Sequence, residues 1–230
     1  MKLFNLSCSL AGILSLACLT ASAQESRNTV VSPVDTFMVL VAVRPIDEIK
    51  QDIDVLDALR SRKKAQLDEL NAQKQRGEAE IEQKGKEISL LESRQDAAEK
   101  ENKDADVAAL KSQIEGVKRI HDLLKERQDL FSSEIDAAEA ALDYAKAAED
   151  MFDKEIALAK KRQELSTQAG AGGSKSFVTG SNRALLDQEN AVLEAQVEKL
   201  KRQEKMLSEE RDVVNAQQSL AEMQGRLLPK

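Results

Sequence analysis

Residues 186–228 read LDQENAVLEAQVEKLKRQEKMLSEERDVVNAQQSLAEMQGRLL. Within them Leu186, Leu193, Leu200, Leu207, Val214, Ala221 and Leu228 recur every seven residues without a break. A helix with that period carries one apolar stripe, which leaves water only when another helix covers it. Asn190, Val197, Glu204, Arg211 and Gln218 are the companion positions of the same seam. Asn190 in an early layer is a known way of fixing register in parallel dimers. Glu204 and Arg211 are harder to bury, so the seam loosens below Leu207. The repeat predicts a terminal coiled-coil helix over 182–228, capped by Ser181 or Asn182. It self-associates through Leu186, Leu193, Leu200 and Leu207, or else lies back on the rest of the chain as a three-helix bundle.

Two more seams lie upstream. The first places Ile46, Ile53, Leu67, Ile81 and Ile88 on one heptad position and Ile49, Leu56, Leu70, Leu91 and Ala98 on the other. Arg60 with Lys63, and Lys74 with Gly77, are weak layers whose long side chains can reach out to water. The second seam carries Val107, Ile114, His121, Gln128, Ile135, Leu142 and Ile156, with Leu110, Val117, Leu124, Phe131, Ala138, Ala145, Phe152 and Ala159 beside them. Between the seams the phase jumps by two residues, from Ala105 to Val107, which no simple stutter supplies. The jump lies at Glu101-Asn102-Lys103-Asp104-Ala105-Asp106, a strongly polar stretch. A helical hairpin over 46–166 turning near 102–104 is the economical reading, and one kinked rod is its rival. Each arm would be about 80 to 90 Å long. The fold class expected is therefore all-α: an elongated coiled coil made of a long antiparallel helical hairpin plus a terminal leucine-repeat helix.

The flanks suggest an exported protein. Lys2, the apolar run Leu10 to Leu19 and Ala21-Ser22-Ala23 have the layout of a signal peptide over 1–23, cut after Ala23. The run is short of the roughly 20 residues a bilayer span needs, so no transmembrane segment is expected in the mature chain. Cys18 follows Ser15, Leu16 and Ala17, a poor match to a lipid-modified cysteine. Both cysteines, Cys8 and Cys18, fall inside the signal, so the mature chain forms no disulfide. Residues 24–45 read as an extended N-terminal arm, with Thr36 to Val43 a β-branched-rich segment between Pro33 and Pro45. Residues 167–181 hold Gly170, Gly172, Gly173 and Gly180 and read as a Gly/Ser-rich linker.

Composition narrows the function. The net charge is −7, and losing Lys2 with the signal makes it −8. Acidic and basic residues are interspersed, which is a solvated surface and not a nucleic-acid footprint, so no nucleic-acid partner is expected. The absence of Trp, with one Tyr and five Phe, fits helix seams better than a compact globular core. His121 is the sole histidine and sits at a seam position, so it cannot build a histidine cluster for zinc. Lys175 near Gly172-Gly173 lacks the ending of a phosphate loop. No catalytic, cofactor-binding or metal residue is assigned, and the chain reads as non-enzymatic.

Thr36 to Val43 followed by Ile46 to Ser166 resembles the strand-then-hairpin start of the tentacled periplasmic chaperones of outer-membrane proteins. Those chaperones have a returning terminal strand and a basic surface, whereas this chain is acidic and ends in another helix. The signal followed by long coiled coil also resembles coiled-coil regulators of wall hydrolases, which usually carry a terminal globular domain. The repeat from Leu186 to Val214 resembles leucine zippers, but no basic DNA-gripping block precedes it. The expectation is an exported scaffold or spacer of the cell envelope, periplasmic or secreted, mediating protein–protein contacts with an envelope protein partner. The alternatives are a holdase-type periplasmic chaperone and a regulator of an envelope enzyme.

Overall fold

The computed structural model describes residues 41–169 and 175–227. The expected signal at 1–23, the arm up to residue 40, the middle of the expected linker and Leu228 lie outside the described residues. The chain is all-α, with three helices packed as a bundle: α1 (Ile46–Lys100), α2 (Asp104–Ala169) and α3 (Lys175–Leu227). Helices claim both flanks of the stretch expected as linker at 167–181, because α2 runs to Ala169 and α3 starts at Lys175. Glycine there lowers helix propensity without forbidding helix.

Pro45 stops the preceding chain and starts α1. Its carbonyl accepts the amides of Glu48 and Ile49 at 3.1 and 3.2 Å, and Asp47 and Glu48 lie at the positive end of the helix. The other end of α1 closes through Asn102, a non-glycine residue at positive φ (54°). The Asn102 amide donates to Glu99 O and the Lys103 amide to Ala98 O, each at 3.1 Å. That pair of bonds is a Schellman closure, which satisfies carbonyls left over at the helix end. Asparagine suits the left-handed position because its short polar side chain tolerates it better than most. The chain re-enters helix at Asp104, with Asp104 and Asp106 favouring the new positive end.

The helices run back and forth. Going up α1, Arg60 pairs with Glu149, Lys74 O accepts Gln128 Nε2 at 3.1 Å, and Glu92 pairs with Lys118 at 2.9 Å. The partners on α2 fall in number as those on α1 rise, so the two are antiparallel. The four buried residues of α1 are Ile49, Leu70, Leu91 and Ala98, all separated by multiples of seven. Leu70 packs with Phe131 and Ile135, and Leu67 joins them.

Helix α3 packs on a different face of α2, also antiparallel. Val192 meets Leu158, Ala195 meets Met151 and Phe152, and Met206 meets Ala140 and Ala141. α2 is therefore the shared element, packed against both neighbours. At the base, Ile49 of α1 and Ala195 of α3 join Met151 and Phe152 of α2 in one cluster.

The chain before α1 docks on this base. Of the segment expected as extended at 36–43, residues 41–43 are described. They form no strand, and Val41 is buried against Leu158 and Val192 with Val43 and Leu185 alongside.

Candidate interaction surface

Helix α3 carries two seven-residue stripes side by side. Val192, Lys199, Met206 and Val213 form one, and Leu193, Leu200, Leu207 and Val214 follow each of them by one residue. One residue is about 100° around a helix, so both stripes cannot face the same neighbour. The structure turns the first inward: Val192, Met206 and Val213 are buried. The second turns outward, with Leu186, Leu193, Leu200 and Leu207 between 37% and 61% exposed, and Val197 and Val214 exposed among them. The leucine repeat is thus not the seam that holds the bundle together.

Polar contacts set the rotation of α3 about its axis. Glu189, 1% exposed, is paired with Arg162 of α2, which also donates to Val41 O at 2.9 Å. Arg202 lies 3.6 Å from Asp143 while holding Glu198 at 2.8 Å. Near the far end, Ser219 Oγ donates to Glu126 Oε2 at 2.9 Å. Lys199 projects toward the base, its Nζ 5.7 Å from the centroid of the Phe152 ring. Burial pulls its pKa below the ordinary lysine value, and the neighbouring Arg44 charge pulls the same way.

Arg44 completes the base. Its Nε and Nη2 donate to the two oxygens of buried Glu155 at 2.9 and 3.0 Å, and its Nη1 donates to Asp52 at 2.7 Å. Hydrogen bonding to Glu155 dominates and raises the Arg44 pKa above its usual range. The guanidinium also lies over Phe152 at 5.3 Å. Every donor and acceptor here serves to join Arg44 to α1 and α2, so the node is an anchor for the helices.

The outward stripe holds an open depression of about 460 Å³ lined by Leu200, Gln203, Glu204, Leu207, Ser208 and Arg211. These are two successive four-residue sockets of coiled-coil geometry. Leu200-Gln203-Glu204-Leu207 is one and Glu204-Leu207-Ser208-Arg211 the next, each shaped to receive one side chain from a facing helix. Glu204 and Arg211 make no ion pair among the described residues.

His121 is mostly covered on α2, with Nδ1 3.6 Å from Asp122 Oδ1. Among the described residues no group of three His, Cys, Asp or Glu side chains is placed to hold a metal, and no helix is long and apolar enough to cross a membrane. No protein family, curated protein or solved structure matches the chain.

Proposed function

We propose that the protein is an exported, non-enzymatic coiled-coil scaffold or spacer of the cell envelope, periplasmic or secreted, that joins to a further chain through the leucine stripe of α3. The observation that carries this reading is the stripe itself. Seven-residue spacing runs from Leu186 to Val214, and these side chains remain exposed after the bundle has folded. Large apolar side chains scattered singly over a surface are ordinary, but a contiguous apolar row is a site of association. Helices of 55, 66 and 53 residues supply the reach of a spacer, on the order of 80 to 100 Å each. The signal-like segment before Gln24 supports export, and a protein recovered from outside the cytoplasm with Gln24 as its first residue is the expected product.

Self-association through Leu186, Leu193, Leu200 and Leu207 is the simplest use of the stripe. Sedimentation over a concentration series tests it: the wild-type chain associates, and L193A/L200A shifts to monomer with its helicity intact. A wild-type chain that stays monomeric at high micromolar concentration refutes it. The same exposed leucines would serve a holdase-type chaperone, which must suppress aggregation of several unrelated exported proteins. A scaffold or a regulator of an envelope enzyme must instead bind one envelope partner stoichiometrically, as crosslinking in intact cells would reveal.

A further inference from the structure

Self-association through the leucine stripe leaves two choices for the facing helix, parallel or antiparallel. The polar residues within the stripe separate them. Glu204 and Arg211 lie one heptad apart, on the same face as Leu200 and Leu207, and both are exposed.

In a parallel, in-register pair each residue faces its own copy. Glu204 then meets Glu204 and Arg211 meets Arg211, placing two like-charge layers in succession at the centre of the seam. Like charges opposed across an interface disfavour that arrangement. In an antiparallel pair, Leu207 of the second copy enters the Leu200-Gln203-Glu204-Leu207 socket. Glu204 of that copy then enters the next socket, Glu204-Leu207-Ser208-Arg211, so one Glu204–Glu204 approach at the two-fold axis is set against two Glu204–Arg211 pairs. The entering carboxylate reaches the Arg211 guanidinium, and the two-fold axis repeats the pair with the roles exchanged. The same register sets Val197 against Val214 and Asn190 against Ala221, where the small side chain lets the amide keep its water.

We propose that the partner of the leucine stripe is a second copy of this chain laid antiparallel, with Glu204 of each copy beside Arg211 of the other. The inference rests on the self-association reading above and adds its direction. The two bundles then point in opposite directions.

Charge reversal and distance measurement test the direction together. E204R alone weakens the dimer by about tenfold, as does R211E alone, because each puts like charges into both reciprocal pairs. E204R/R211E restores the original affinity. A parallel dimer predicts otherwise: each single reversal only exchanges one like-charge layer for another and leaves the affinity unchanged. For the distance, a spin label at E194C is used with Cys8 and Cys18 replaced by serine. Antiparallel pairing separates the two labels by about 35 Å along the axis. A separation below about 20 Å, the scale of adjacent helices plus their labels, overturns the antiparallel arrangement while leaving self-association standing. A chain that never dimerises removes the reading on which the direction depends, and sedimentation of the same samples identifies that outcome.

Discussion

Removing Arg162 should cost more than removing Glu189, although the two form one ion pair. The Glu189 side chain is 2% exposed and the Arg162 side chain 23%, so the carboxylate has no route to water and the guanidinium has one. In R162M the buried carboxylate loses its counter-charge, and breaking a buried pair in this way typically costs about 3–5 kcal/mol. The hydrogen bond from Arg162 to Val41 O is lost as well, a further contribution of about 1 kcal/mol. In E189L, Arg162 keeps Val41 O and part of its hydration, and the cost should be nearer about 1–2 kcal/mol. The double variant R162M/E189L replaces the pair by apolar groups and should lie close to wild type. Urea denaturation of the four proteins, read as a double-mutant cycle, should give a coupling energy close to the sum of the two single costs, about 5–8 kcal/mol. If R162M costs less than about 1 kcal/mol, or if the double variant is as unstable as R162M, the burial argument is wrong.

Three further outcomes are expected. M206A should destabilise the bundle by about 2–5 kcal/mol, whereas L200A should change monomer stability by less than about 0.5 kcal/mol; denaturation at concentrations below association compares them. N102G should be neutral or slightly stabilising and N102V should cost about 1–2 kcal/mol, because only the second opposes the left-handed turn; thermal unfolding distinguishes them. G85A should stabilise by about 0.5–1 kcal/mol, since an added Cβ meets nothing within 4 Å, while G77A should gain less because its Cβ would lie 2.5 Å from Gln128 Oε1 and displace that side chain from Lys74 O.

The all-α class was legible from period alone, since apolar residues spaced for helices leave no alternating pattern for a sheet. The inner face of α3 was not. Its members Val192, Lys199, Met206 and Val213 include a lysine, so the adjacent leucine row outscores them as a seam. Burial follows total contact and not leucine content, and Lys199 enters the base by laying its ammonium on Phe152. The second buried face of α2 was also hidden, because it is built largely of alanine. Ala140, Ala141 and Ala148 are almost wholly buried, yet alanine is equally common on exposed helix surfaces. The density of alanine over 137–148 was the available signal, since small side chains there let another helix approach closely. As for the candidate surface, its residues were legible by number, but their exposure depends on the rotation of α3, which Arg162, Asp143 and Glu126 fix from α2.

The alanine-lined contact between α2 and α3 behaves like a ruler with identical marks. Ala141, which meets Met206, and Ala148 are one heptad apart, and the inward stripe of α3 repeats at the same interval. Alanine loses no rotamer freedom on burial, so such a contact forms cheaply, but it distinguishes poorly between one alignment and the next. Sliding α3 by seven residues, about 10 Å, would lay a similar surface over the same alanines. What changes is the charge: Glu189 would leave Arg162, and Arg202 would leave Asp143. The ion pairs thus act as keys that select a single alignment from several of nearly equal packing. A chain stripped of them would be expected to stay helical while sampling more than one position of α3.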